Sequence, residues 1–595
     1  MIPFAAPVRD LRFVLQELLE HGSLALPGFE EASPDLVEAV LEEAARLANE
    51  VWAPLNASGD AQGCRLEEGR VQVPDGFIAA YRGYAEGGWN GIGVSEALGG
   101  QGLPEVVASA VQEMLHGANM ALGLCPMLTA GAIEALAHHG SDALKETYLP
   151  KLIEGSWTGT MNLTEPQAGS DLSRVRTRAV PCPDEEGGHY RLFGQKIFIT
   201  WGEHDAAENI LHLVLARTPD APEGNKGISL FLVPKYLVGA DGSLGERNDV
   251  VCASIEHKLG IHGSPTCTLS FGEHDGAIGY LVGEEGRGLN HMFTMMNEAR
   301  HKVGVQGIGV AERACQHAFA YALDRVQGKS HGSEATISEH LDVRRMLLSM
   351  RARTDALRAL ALYCAAQLDV ARHAAAAERA AAQARVEVLI PVVKAFSTDQ
   401  AVEIASLGVQ VHGGMGYIEE TGAAQLLRDA RIAPIYEGTN GIQALDLAGR
   451  KLQRDGGAAL KSLIDDVEAT TQALAANPAL AALGECLAAG VADLRAALVL
   501  VLEQGTDPES GPDAVQAYAT PFLALVGHVL CAWQMGRAAL KARAAVEAGS
   551  DDPFYAAKLQ SADFAIRQWL PVGRAQRAVI EAGMASLAAF DAAAR

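Results

Sequence analysis

A carboxylate, Glu437, stands in RDARIAPIYEGTNGIQALDL, directly after the uncharged run from Ile432 to Tyr436. Neighbours such as Ile432, Pro434, Ile435 and Tyr436 keep water from a carboxyl group, which raises its pKa and strengthens it as a base. Proton abstraction is the chemistry such a group would do; a solvated loop acid is the ordinary alternative. Four other stretches have residue types suited to holding a ligand. MNLTEPQAGSDLS, residues 161–173, sets Thr164, Gly169 and Ser170 on one short loop, where hydroxyls and backbone N–H groups can meet an anionic or heteroaromatic molecule. GQKIFIT, residues 194–200, has Phe198 and Thr200 two apart, hence on one face of a strand. MMNEARHKVGVQGIGVAERA, residues 295–314, places Arg300 in a helix ahead of Gly304, Gly307 and Gly309. Each glycine costs a helix about 1 kcal/mol, so a close approach is expected there. VQVHGGMGYIEE, residues 409–420, carries Gln410 with Gly413, Gly414 and Gly416. That backbone is open to a phosphate or another chain, and an ordinary helix C-terminal turn would look the same.

The elements that must position these residues have two textures. Residues 1–155 read helical: DLVEAVLEEAARLANEVW has apolar residues at three- and four-residue spacing, with Asp35 as a start signal after Pro34. From Trp157 to Gly283 the runs YRLFGQKIFIT, NILHLVLARTP, GISLFLVPKYLV and TCTLSFGEHDG alternate and are separated by Gly, Pro, Asn and Asp, the pattern of a β-domain. From Gly286 helix is expected nearly to the end, with GTDPESGPD, residues 505–513, as the main loop of a further helical unit. Segregated helices and strands argue an α+β fold. The expected divisions are an N-terminal extension 1–34, an N-terminal helical domain 35–156, a middle β-domain 157–283, a C-terminal helical domain 284–452 carrying Glu437, and an additional helical domain 453–595.

Composition narrows the partners. The 595 residues include 48 Lys+Arg and 73 Asp+Glu, a net charge of −25, which argues against nucleic acid or an anionic membrane as partner. The nine cysteines are scattered and odd in number, with no CxxC pair, as expected of reduced thiols in the cytoplasm. Asp10, Glu17 and Glu20 argue against a secretion signal or transit peptide at the N-terminus. The uncharged stretch from Ala514 to Gly536 exceeds the ~20 residues a membrane span needs. Its Pro521, His528 and Tyr518 favour a buried helix instead.

Taken in order, TEPxAGSD, GQKxxIT, the Arg300 helix, QxxGGxGY and IYEGT resemble the acyl-CoA dehydrogenase family over residues 35–452. The resemblance is to its enlarged members with an extra C-terminal helical domain, which include the 3-methylmercaptopropionyl-CoA dehydrogenases and bacterial fatty acyl-CoA dehydrogenases. It implies an acyl-CoA dehydrogenase-like fold, FAD as cofactor, and oxidation of an acyl-CoA thioester to a trans-2-enoyl-CoA. The α-proton would pass to Glu437, the β-hydride to the flavin, and the electrons on to an electron-transferring flavoprotein. By the same resemblance, Met161, Leu163, Thr164, Gly169 and Ser170 wrap the flavin with Phe198, Ile199 and Thr200. Arg325, Gln410, Gly413 and Gly414 match positions that reach the FAD of a neighbouring subunit, which implies at least a homodimer. Gly438 and Thr439 match a turn that touches the cofactor. Ser170, Asn297, Arg300 and Gly438 match the acyl-CoA site. The backbone N–H of Glu437 and a ribityl hydroxyl would steady the thioester oxygen. Met127 and Leu128, in the segment from Met120 to Glu134, would line the acyl chain. Methionines fix no chain length, so short sulfur-containing, medium-chain and long-chain substrates stay open.

Three positions depart from the family pattern: Phe198 replaces a common tryptophan, Asn297 a usual aspartate, and Gly441 a glutamine that touches FAD in many relatives. Some relatives carry the base at the position of Ala299, and alanine there leaves Glu437 as the candidate. Competing readings are an oxygen-using acyl-CoA oxidase and an inactive acyl-CoA- and FAD-binding scaffold; Glu437, Thr164, Arg325 and Gln410 speak against the second. The additional domain either stands in for a second pair of subunits or forms part of a membrane-facing or partner surface through the uncharged Ala514 to Gly536 helix.

Overall fold

The computed structural model describes the chain except residues 1–2, 21–25, 183–187, 240, 507–510, 592 and 594–595. It divides into two compact units: a strand-bearing unit of residues 46–103 and 118–302, and a helical unit of residues 1–45, 104–117 and 303–595.

The strand-bearing unit is built on one sheet. Its spatial order is Val250–Ile255, Thr266–Phe271, His189–Thr200, Ala277–Leu281, Ser229–Pro234, Asn209–Ala216 and Trp157–Asn162, with Arg178–Cys182 paired to His189–Thr200 off this path. Trp157–Asn162 runs parallel to Asn209–Ala216, and the other pairs in the sheet are antiparallel. Ser229–Pro234 and Asn209–Ala216 are buried at every position, which explains their unbroken apolar runs. Leu192, Ile199, Val214, Phe231, Leu269 and Phe271 form part of the core. A small hairpin, Arg65–Glu67 with Arg70–Gln72, corrects the all-helical reading of residues 1–155. Its turn uses Glu68 at φ 49° and Gly69 at φ 74°, the left-handed pair a tight hairpin demands. Three-residue strands are too short to show a period, although Val71 joins the sheet's core.

The helical unit is dominated by Leu341–His373, Ala376–His412 and Gly511–Glu547, with residues 303–324 of the Gly288–Asp324 helix. The helix expected to continue past Asp324 gives way to a hairpin, Val326–Ser330 with Ser333–Thr336, turning through His331 and Gly332 at positive φ. The loop expected at 505–513 falls partly on residues outside those described; Ala481–Gly505 ends at its first residue, and Gly511–Glu547 begins inside it, so positions 511–513 are helical where loop was expected. The glycines after Arg300 serve close helix packing. A Cβ on Gly304 would lie 2.7 Å from the Val393 carbonyl oxygen, and one on Gly309 2.6 Å from that of Glu113.

A buried charge cluster locks this unit. Arg358 Nη2 lies 2.6 Å from Glu113 and 2.7 Å from Glu312, Arg351 lies 2.9 Å from Glu312, and Lys558 joins Asp355 at 2.9 Å and Asp10 at 2.6 Å. Burial pushes the Glu312 carboxyl up, but Arg351 and Arg358 reverse this and hold it well below the usual carboxylate range. Among the described residues two helices, Met120–His139 and Gly511–Glu547, are long and apolar enough to cross a membrane; 83% and 72% of their most apolar windows are buried inside the fold. All nine cysteines are free thiols.

Candidate active site

In the helical unit, Glu437 follows a tight turn in which the Ile435 and Tyr436 N–H groups both donate to the Ile432 carbonyl. Glu437 has φ 56° and Gly438 φ 81°, so two successive residues are left-handed. For a residue with a Cβ this costs on the order of 1–2 kcal/mol and persists where the surroundings impose it. Those surroundings are specific. Tyr436 Oη donates to Gln306 Oε1, and Gln306 is fully buried. Gln443 Nε2 donates to the carbonyls of Glu437 and Gly438, each at 3.4 Å. Lys394 Nζ donates to the Gly438 carbonyl at 2.8 Å. Asn440 N–H donates to the Pro434 carbonyl at 3.0 Å and closes the turn. Thr439 Oγ1 accepts from Ile442 N–H, capping the Asn440–Leu445 helix. Glu437 is half-buried, and burial, then the neighbouring Glu437, pushes the Tyr436 hydroxyl pKa well above its usual value.

Arg325, Gln410, Gly413 and Gly414 lie on the exposed surface of the same unit. Gly413 has φ 60°, and among the described residues neither Gly413 nor Gly414 has an atom within 4 Å of a would-be Cβ, so their backbone is open to approach. Two histidines that the sequence left unremarked sit beneath this turn. His317 Nε2 donates to the Thr421 carbonyl and His412 Nδ1 to the Gly408 carbonyl, both at 2.7 Å, and their rings meet at 4.4 Å. Burial pushes His317 down to about 4 and also lowers His412, so both are neutral near pH 7.

In the strand-bearing unit, the 161–173 loop and the GQKIFIT strand come together. Ile197 N–H donates to the Thr164 carbonyl at 2.9 Å. The pairing of His189–Thr200 with Thr266–Phe271 shifts register here: Lys196 faces Leu269 and Ile199 faces Cys267, leaving Ile197 and Phe198 opposite Thr268. Such a bulge re-aims a side chain. Phe198 takes φ 60° and is 59% exposed, while Ile199 is buried and Thr200 half-buried. Met161 is buried, Leu163 and Thr164 are half-buried, and Gly169 and Ser170 are exposed. Lys196 and Glu165, to which the sequence reading assigned no role, form a buried ion pair at 2.8 Å; Lys196 also donates to the Leu163 carbonyl. The motifs that contain them were the available signal.

These features fit a flavin. An exposed aromatic ring on a strained bulge offers a stacking face. Among the described residues Gly169 has nothing within 4 Å of a would-be Cβ, so a flat ring system can approach the loop. Asn162 Oδ1, at the end of the strand leading into it, is buried without a hydrogen-bond partner among the described residues.

Residues 288–302 of the Gly288–Asp324 helix belong to this unit. Arg300 is buried there, with Nη1 3.3 Å from Asn297 Oδ1 and its guanidinium 5.9 Å from the Phe293 ring centroid; Asn297 is exposed. Met127 and Leu128 are buried in the Met120–His139 helix, and Met295 fills the space beside Gly131.

Models of the acyl-CoA dehydrogenase N-terminal, middle and C-terminal domains match residues 35–156, 160–273 and 286–452, and an acetyl-CoA dehydrogenase C-terminal-like model matches residues 463–591. The chain is 50% identical over 574 residues to 3-methylmercaptopropionyl-CoA dehydrogenase of Ruegeria pomeroyi, covering 95% of this chain and 96% of the relative. It is 35% identical to the broad-specificity linear acyl-CoA dehydrogenase FadE5 of Mycobacterium tuberculosis, covering 98% of each. Caenorhabditis elegans ACDH-11, solved with C11-CoA, shares the fold with a TM-score of 0.77 at 24% identity, covering 96% of this chain and 92% of that one.

Proposed function

The chain belongs to the acyl-CoA dehydrogenase family and is an FAD-dependent oxidoreductase of that family; from that premise we propose that Glu437 is its base, in the oxidation of an acyl-CoA thioester to a trans-2-enoyl-CoA. The strained, fastened turn at Glu437 and Gly438 is the observation that carries this reading. A carboxylate held there in one orientation can take the α-proton of the thioester, and its own backbone N–H can donate to the thioester oxygen as negative charge gathers on it. When bound, FAD supplies the hydride acceptor that no side chain provides. Met161, Leu163, Thr164, Gly169, Ser170, Phe198, Ile199 and Thr200, with Gly438 and Thr439, would hold it. Ser170, Asn297, Arg300 and Gly438 would meet the acyl-CoA.

The half-identical Ruegeria relative supports a short thioether-bearing acyl-CoA as substrate class; the FadE5 relative supports linear acyl-CoA as the second reading. Electrons would leave to an electron-transferring flavoprotein. The open backbone at Gly413 and Gly414, with exposed Arg325 and Gln410, supports a homodimer in which they reach the partner's cofactor. The additional 453–595 domain would then stand in for a second pair of subunits, and the protein would work in the cytoplasm.

The test is an anaerobic titration of the flavin-loaded protein with 3-methylmercaptopropionyl-CoA and with saturated acyl-CoA of increasing length, alongside Glu437→Gln. Wild type should bleach, and Glu437→Gln should bind but reduce its flavin at least ~100-fold more slowly, the usual contribution of a general base. A wild type that bleaches with none of them removes the proposed substrates, and a variant that bleaches normally removes Glu437. Oxygen uptake during turnover would indicate an oxidase.

A further inference from the structure

Lys394 lies in the middle of the Ala376–His412 helix and is fully buried. A buried ammonium is costly unless hydrogen bonds replace its water. Its Nζ donates to the Gly438 carbonyl and to Asn440 Oδ1, both at 2.8 Å, so it meets the chain one and three residues beyond Glu437. Asn440 is gripped from its other side as well. Its Nδ2 donates to Asp399 Oδ1 at 2.8 Å and to the Ala395 carbonyl at 3.0 Å, on the same helix. That helix has no room to withdraw: Gly304 and Gly307 bring the neighbouring helix against Val393, Ser397 and Thr398.

The consequence falls on the main chain at the base. Lys394 fixes the plane of the Gly438–Thr439 peptide through its carbonyl, and Gln443 holds the Glu437–Gly438 peptide through the Glu437 carbonyl. Both peptides after the base are therefore tied, as two successive left-handed residues require.

We propose that Lys394 is a positioning residue for the reaction: it holds the turn that aims Glu437 at the α-carbon, without touching the thioester itself. The proposal rests on Glu437 being the base. Misplacing a reacting group by about 1 Å can cost on the order of 100-fold in rate, so the effect should be large while ligand binding is spared.

The experiment compares FAD-loaded wild type with Lys394→Met, Lys394→Arg and Glu437→Gln. The probe is an acyl-CoA whose β-carbon is replaced by sulfur, so that the α-proton can leave and a β-hydride cannot. FAD content, probe affinity and exchange of the α-proton in deuterated water are measured. Lys394→Met should keep its FAD and bind the probe within about threefold, yet exchange the α-proton about 10- to 100-fold more slowly. Lys394→Arg, which keeps a charged donor, should recover part of that loss. Exchange at the wild-type rate in Lys394→Met overturns the proposal. Loss of FAD or of the fold in both lysine variants overturns it too, since Lys394 is then a purely structural residue. Wild-type exchange in Glu437→Gln removes the base reading itself, whatever the lysine variants do.

Discussion

Lys196 Nζ lies 2.8 Å from Glu165 Oε1, and both side chains are buried. One ion pair thus ties the 161–173 loop to the GQKIFIT strand. Burial pushes the Glu165 carboxyl up, but Lys196, the Thr177 hydroxyl and the Arg176 N–H reverse this and leave it below its ordinary range. Burial pushes Lys196 down to about 8, so it remains charged at neutral pH. Removing one partner of a buried pair strands the other charge, at a cost of about 3–5 kcal/mol. Lys196→Met should lower unfolding stability by about that much in guanidinium titrations and lose FAD. Glu165→Gln should cost less, because a lysine already pushed toward neutrality can release its proton.

Phe198 separates ligand binding from stability. Its ring is 59% exposed, so Phe198→Ala should change unfolding stability by no more than ~0.5 kcal/mol. A lost aromatic stacking face is worth about 0.5–1.5 kcal/mol, so FAD should bind roughly three- to tenfold more weakly. Flavin fluorescence on titration with apoprotein measures it.

Arg358 should prove indispensable to the helical unit. It is fully buried between Glu113 and Glu312, and Arg358→Met leaves both acids without its charge. The expected loss is about 3–5 kcal/mol, visible as a lowered thermal midpoint.

Acid should unfold the protein in two stages. Burial pushes His317 and His528 down to about 4 and His212 to about 3, and lowers His204 far below its ordinary 6.5. Their full contribution is present above pH 6.5. As pH falls below 6.5 the unfolded chain takes up protons that the fold refuses, so stability drops until the folded values are passed. Glu312 and Glu165 add a second loss: their depressed folded pKa stabilises above their ordinary 4.5 and is forfeited as pH falls through the folded values. Denaturant midpoints measured from pH 8 to pH 3 should decline from about 6.5 and steepen below about 4.5. His317→Gln should flatten the first part. A profile that is level down to pH 5 would contradict buried neutral histidines.

Much of the molecule was legible in the residues alone. The change from three- and four-residue periodicity to alternating runs near Trp157, and back near Gly286, follows from burial of one helix stripe or strand face. The sheet and the long helices appear where that patterning puts them. Positions 65–72 and 326–336 were misread because each strand is five residues or fewer, too short to show a period, while the information lay in the turns Glu68–Gly69 and His331–Gly332.

By itself the sequence determined the order of the elements, the motifs that identify the family, and Glu437 as the carboxylate to examine, because periodicity and motif spacing are local. The tertiary structure decided which charges meet. Lys196 and Glu165 are 31 residues apart, Lys394 and Gly438 are 44 apart, and Arg358 and Glu113 are 245 apart. Nothing in a linear chain distinguishes such a lysine or arginine from one on the surface. Burial does: with water removed, each charge needs a partner within hydrogen-bond reach, and only the folded chain supplies it.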